Sequence, residues 1–260
     1  MALEFTGRGD PDRTLKLLWR VESRSGRGPK RGLTLDAIVA AAIALADKGG
    51  LGAVSMRAVA DRLGVGTMSL YRYVPGKHEL VELMVDAVHG EFERAPDGVA
   101  GWREKVMHFA EQVRALDARH PWMNQVSQVR SPLGPGTIRL SEAAAAAFAG
   151  SGLSPRATVG ATNLVSAYCR GVLGLAHEVD EVARETGESD EQFWSSRASF
   201  WETYFDPEQH PHITALWEAG AYEDPVDDFA FGLARLLDGL EALAARGGTE
   251  PPAHGAPGAT

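Results

Sequence analysis

Between positions 67 and 77 the chain sets Thr67, Met68, Ser69, Tyr71, Arg72, Tyr73 and Lys77 side by side. Two aliphatic hydroxyls and two phenols can each donate and accept a hydrogen bond, and two cations can meet an anionic oxygen. That chemistry is recognition of a polar, anionic polymer. Thr67 and Ser69 suit base edges, Met68 suits a thymine methyl, and Tyr71 and Tyr73 suit phosphate or base. Arg72, Lys77 and the preceding Arg57 suit a phosphate backbone. Taken singly, each tyrosine reads as packing and each cation as a solvated charge; their order in a three-helix unit favours recognition.

The elements that would position these residues are short helices. Thr34 is a plausible N-cap, and Ile38, Ala42 and Leu45 follow at helical spacing until Gly49 and Gly50 stop the run. Ser55 can cap a second helix with Val59, Ala60 and Leu63 inward, and Gly64 is a natural stop. Residues 67–73 make a third, closed by Pro75 and Gly76. Two short helices joined by Gly64-Val65-Gly66 are the pattern of a helix-turn-helix, whose second helix enters the major groove with its first residues against base edges. The start of the next helix, near Lys77, offers free N–H groups to a phosphate.

Downstream the pattern stays helical. Leu80 to Phe92 mark a fourth helix ending before Pro96, and Trp102 to Leu116 a fifth broken at His120-Pro121. Helical pieces are expected at 122–129, 137–149, 155–185, 189–205 and 225–245, with no convincing strand. The fold class expected is all-α: a basic arm over residues 1–33, a three-helix DNA-binding head over 34–78, a larger helical domain over 79–246, to which the family resemblance given below assigns ligand binding and dimerisation, and a disordered tail over 247–260.

Charge supports that division. The net charge of −9 argues against nucleic acid, yet residues 1–78 carry 13 Lys and Arg against 7 acids, while the rest carries 13 against 28. A basic head on an acidic body accounts for both figures. No apolar run reaches the roughly 18 residues of a membrane span, the acidic, arginine-bearing N-terminal stretch reads as lacking a secretory apolar core, and the lone Cys169 forms no disulfide framework, so a cytoplasmic location without membrane contact is expected. Cys169 reads as a small core residue.

Residues 34–91 resemble the DNA-binding domain of the tetracycline-repressor (TetR) family of transcriptional regulators. The likeness lies in the alanine-rich first helix, the Ser55-Met56-Arg57 opening of the second, the Ala60-x-x-Leu63-Gly64-Val65 turn, and the Leu70-Tyr71-x-Tyr73-Val74-x-x-Lys77 segment. The later helices are similar to that family's C-terminal domain in number and order. The resemblance implies an all-helical homodimer on a palindromic double-stranded DNA operator, acting as a repressor and released by a small-molecule effector. It also implies that the helices at 155–185 and 225–245 form the dimer interface.

An apolar or aromatic effector would need an apolar pocket with a few oriented polar groups. Trp122, Met123, Tyr168, Trp194 and Trp201 are the aromatic and apolar candidates, with Arg130, Asn163 and His177 as polar ones. Members of the family that chelate a magnesium-bound drug place a histidine in the last turn of the fourth helix. Here that turn is expected to hold Glu91-Phe92-Glu93-Arg94, with His89 nearby, so neither metal nor cofactor is expected. His210 and His212, split by Pro211, read as a loop. The rivals are a helical enzyme, although HExxH, P-loop and G-x-S-x-G patterns are absent, and an interaction module that no longer reads DNA. Arg24, Arg27, Lys30 and Arg31 could reach along the minor groove or backbone.

Overall fold

A computed structural model describes residues 4–7, 9–21, 33–93, 98–127, 129–223 and 226–248. The chain divides into two compact units, residues 1–166 with 240–260, and residues 167–239. The helices in chain order are α1 (Pro11–Leu18), α2 (Leu35–Gly49), α3 (Met56–Leu63), α4 (Thr67–Leu70), α5 (Lys77–Gly90), α6 (Trp102–Arg119), α7 (Pro135–Ala147), α8 (Pro155–Thr186), α9 (Asp190–Ser196), α10 (Ser199–Thr203), α11 (Pro211–Glu218) and α12 (Asp228–Ala245). The all-α class holds.

The first unit is built around α5. Its Leu80, Val81, Leu83 and Met84 are buried against Ile38, Ala42 and Ala46 of α2, which it packs along. The far half of α5 lies on α7, so close at Gly136 that a Cβ there would stand 1.8 Å from Asp86 O. Gly134, the N-cap of α7, has no side chain to offer the orphan N–H groups there, so Asp86 of α5 supplies the acceptor: Thr137 N donates to its Oδ1 at 2.8 Å. A buried carboxylate at a helix N-terminus is also favoured by the dipole.

Two departures from the expected elements have local causes. In place of the helical piece expected over 122–129 the chain takes one 3-10 stretch, Pro121–Gln125, and then a strand, β2 (Val126–Ser127). β2 pairs in parallel with β1 (Glu4–Phe5), placing Glu4 opposite Val126. The other is α11, where a loop was expected; Pro211 stands at the first helical position, where its missing N–H costs nothing. The segment 189–205 is split into α9 and α10 around Arg197 and Ala198.

The expected arm over residues 1–33 is structured in its first part. Asp10 caps α1 by accepting from Arg13 N at 2.8 Å, Pro11 opens it, and Leu17 and Leu18 are buried. Residues 22–32, with Arg24, Arg27, Lys30 and Arg31, lie outside the described residues, as do 249–260 of the expected tail.

Gly7 N donates to Oε1 of buried Glu82 at 2.9 Å. Burial raises the Glu82 carboxyl above its usual range, against the Gly7 hydrogen bond and with Glu79 pushing the same way. A carboxyl raised in the folded state contributes stability that is fully present below the unfolded value and is lost as pH climbs through the folded one. Glu82→Gln keeps the acceptor and cannot ionise. The variant is therefore expected to be more stable than the parent at pH 8 and equal to it near pH 4, read by thermal denaturation at both; a gain of the same size at each pH would refute the assignment.

The second unit is held by the facing parts of α8 and α12. Cys169 and Leu173 are buried, as are Phe229, Leu233 and Leu237. Tyr168 Oη donates to the carbonyls of Asp228 and Phe229 at 2.5 and 3.0 Å. No residue of α9, α10 or α11 is buried.

Candidate nucleic-acid interface

The head is made by α2, α3 and α4. Ser55 Oγ accepts from Ala58 N at 3.1 Å and starts α3, whose Met56, Val59 and Ala60 face inward. Gly64 then takes the left-handed conformation, φ 67 and ψ 31, and lets Val65 N donate to Ala60 O at 3.0 Å. A side chain at that φ would be strained, so glycine is what turns the chain out of α3 at this point.

After Gly66 comes α4, a single turn, continued by hydrogen bonds from Tyr73 N and Val74 N to Leu70 O at 2.8 and 2.9 Å. Leu70 and Val74, four residues apart, are wholly buried and pin this segment to the head. The other faces are outward. Met68 is 77 % exposed, Tyr71, Arg72 and Arg57 are exposed, and Thr67, Ser69, Tyr73 and Lys77 are half-buried. All eight expected contact residues therefore fall on or beside one helix-turn-helix, on a rigid backing. Arg57 also approaches Asp61 at 3.8 Å, an exposed pair of little energy that would yield to a phosphate.

One expected contact fits less well. The first turn of α5 already carries a carboxylate, since Glu79 lies there with Oε2 beside Gly76 and Oε1 against Gly9. A phosphate at that N-terminus would meet an anion.

The effector candidates are placed differently from one another. Trp122 is 1 % exposed and its indole N donates to Asp47 Oδ1, at the end of α2, at 2.8 Å. His120 Nδ1 meets the same oxygen at 2.7 Å while its Nε2 lies 3.2 Å from Glu91 Oε2. Gln125 Oε1 accepts from Leu51 N at 2.8 Å. Trp122 is thus part of a joint that fastens the end of α2 to the 3-10 stretch, with buried Met123 beside it. Asp47, His120 and Gln125 were not singled out in the sequence; the turn at His120-Pro121 was the one signal there.

Arg130 and Asn163 are exposed, and Tyr168 is engaged with α12. His177 is half-buried, and Trp194 and Trp201 are exposed. Trp122, Met123, Arg130 and Asn163 belong to the first unit, the other four to the second. Within the second unit a groove of about 440 Å³ runs between α8 and α9, lined by Leu175, Val179, Val182 and Phe193 and edged by Glu188 and Arg197. None of the candidates lines it. His89 stands in the last turn of α5, because that helix ends at Gly90, earlier than expected. It is buried against α7, with Nδ1 2.9 Å from Thr137 Oγ1.

The joint yields its own expectation. Asp47→Ala leaves a buried indole N–H unpaired, which costs roughly 1–3 kcal/mol and appears as a lower denaturant midpoint. Adding Trp122→Phe removes that donor, so the double variant should lose less than the two singles together; additive losses would mean that the two residues are not partners.

The family profile described as "Bacterial regulatory proteins, tetR family" matches residues 38–84, and the one described as "Tetracyclin repressor-like, C-terminal domain" matches residues 95–244. The chain belongs to the tetracycline-repressor family. Its function is the family's ligand-responsive transcriptional repression through a DNA-binding helix-turn-helix. This TetR-family chain is 42 % identical over 244 residues to the HTH-type transcriptional repressor DrrR1 of Streptomyces coeruleorubidus, covering 94 % of this chain and 90 % of that protein. The crystal structure of the TetR-family protein ActR of Streptomyces coelicolor in complex with actinorhodin matches with a TM-score of 0.68 at 26 % identity, over 82 % of this chain and 97 % of that one. SCO7222, a TetR regulator of the same organism, matches with a TM-score of 0.64 at 25 % identity, over 81 % and 99 %. Among the described residues no helix is long and apolar enough to cross a membrane.

Proposed function

We propose that the chain acts in the cytoplasm as a homodimer on a palindromic operator, through Thr67, Met68, Ser69 and Tyr71 at base edges and Arg57, Arg72, Tyr73 and Lys77 along the backbone. The observation that carries this is the outward set at 67–72 held by buried Leu70 and Val74 on one rigid turn. Two-fold symmetry of the protein would then place two such turns about one turn of DNA apart. Support for the dimer is the apolar surface that α8 leaves exposed, at Leu164, Leu175, Val179 and Val182, and that α12 leaves at Phe231. Sedimentation is expected to give a dimer at micromolar concentration; a monomer would end that part of the reading.

The proposed role is regulatory, not catalytic, and the proposed effector is an aromatic or apolar small molecule. Supporting the effector class are the half-exposed rings of α9 to α11, among them Trp201 and Trp217 with centroids 5.5 Å apart, and the capture of actinorhodin by ActR. The test is fluorescence anisotropy on DNA from immediately upstream of the protein's own gene, followed by selection from random duplexes. Binding at least about a thousandfold tighter than to random DNA is expected. Failure to select any sequence would leave an interaction module as the reading. Release of bound DNA by a panel of planar aromatic compounds, and not by sugars or amino acids, is the expected effector result.

A further inference from the structure

The docked N-terminal segment takes no part in the interface above, yet it touches β2, Arg130, Leu133, α5 and the start of α2. On one side it is fixed to residues 126–133: β1 pairs with β2, Thr6 Oγ1 donates to Arg130 O, and Trp19 Nε1 donates to Leu133 O at 2.9 Å. On another it grips the first turns of α5, the helix that leaves the recognition segment directly. There Gly7 N donates to Glu82, and Gly9 lies so close to Glu79 that a Cβ would stand 2.3 Å from its Oε1. Buried Thr14, Leu17 and Leu18 belong to α1, which packs on α5.

Its last contact is with the head itself. Arg20, the one non-glycine residue of positive φ among the described residues, points its guanidinium both to Leu17 O at 2.6 Å and to Asp36 Oδ1, in the first turn of α2, at 2.9 Å. The attachment is unequal. A β pair and buried aliphatic side chains anchor the segment to α5 and to residues 126–133, whereas the direct hold on α2 is an ion pair open to solvent, which is weak and salt-screened.

We infer that residues 4–7 and 9–21 are a clasp: they tie the first turns of α5 to β2, Arg130 and Leu133 and latch α2 through Asp36, so that the segment helps to fix the placement of the head and thereby the affinity for the operator. Holding a reading head in one placement before it meets DNA lowers the ordering cost of binding. The inference rests on the regulator reading for its DNA readout alone.

The test uses the full chain carrying Gly7→Pro, which removes the N–H given to Glu82 and cannot adopt the φ of 76 found there. Amide hydrogen exchange is expected to quicken in the first turns of α5 and at residues 126–133 while α8 and α12 keep the parent's rates. Operator affinity should fall about tenfold, with affinity for random DNA unchanged. Unchanged exchange at those two places would overturn the clasp. So would faster exchange with unchanged operator affinity, which would make the segment a mere cover. If Gly7→Pro does not fold, Trp19→Phe, which keeps a ring and loses the donor to Leu133, is judged by the same two readouts at smaller size. A parent chain that selects no operator would sink the regulator reading, and exchange alone would then decide whether the segment holds the joint.

Discussion

Arg72→Ala is expected to weaken operator binding about tenfold at moderate salt and to reduce the slope of log affinity against log salt by about one. The guanidinium is exposed on the far side of the segment from Leu70 and Val74, and α4 is anchored by those two side chains, not by Arg72. Stability should therefore stay within about 0.5 kcal/mol of the parent, which separates lost contact from lost fold. A cation on the backbone lowers affinity for all sequences alike, so the loss should be similar on operator and random duplexes; a loss confined to the operator would instead make Arg72 a reader of a base edge. Affinity unchanged at every salt concentration would remove Arg72 from the interface. Tyr71→Phe, by contrast, removes one hydroxyl and keeps the ring, and should cost less.

The head was legible because its signals are local. Thr34 and Ser55 cap helices three residues ahead of the N–H groups they accept from, Gly64 ends one, and Leu70 and Val74 sit one turn apart, so a window of a few residues carries each statement. The joint behind the head was not legible, since Asp47 meets His120 and Trp122 across 73 and 75 positions of sequence and no period links them. Trp122 therefore looked like one more aromatic that could line a pocket, when its indole serves the end of α2. The clasp was hidden for a different reason: in a stretch of glycine, arginine and acids, α1 is only two turns long, and β1 is two residues whose partner lies beyond position 120. The effector site stayed open because rings at helical spacing mark core and pocket equally well, and the eight candidates fall in two units. Where sequence reasoning failed, the missing information was pairing at long range.

The same long-range packing makes one small substitution severe. Gly136→Ala is expected to lower the melting temperature by roughly 10 °C, more than any other single methyl group added to the first unit. At the start of α7 an added Cβ would stand 1.8 Å from Asp86 O and 2.8 Å from Gly90 N, both backbone atoms of α5. Neither can turn aside as a side chain would, so the two helices must separate. Separation acts on more than contact area: it pulls Thr137 N away from Asp86 Oδ1, leaving a buried carboxylate without its donor, and it opens the 2.9 Å contact between His89 and Thr137. Overpacking of a tight core costs about 1–3 kcal/mol, and an orphaned buried acceptor about as much again. Gly52→Ala, where nothing lies within 4 Å of the new Cβ and no proposed interface is touched, supplies the control; that exchange should leave the protein as stable as before or slightly more so, because alanine leaves the unfolded chain fewer conformations. Equal melting temperatures for Gly136→Ala and Gly52→Ala would show that α7 can shift along α5 without loss, and the close approach at Gly136 would then not be what fixes the two helices.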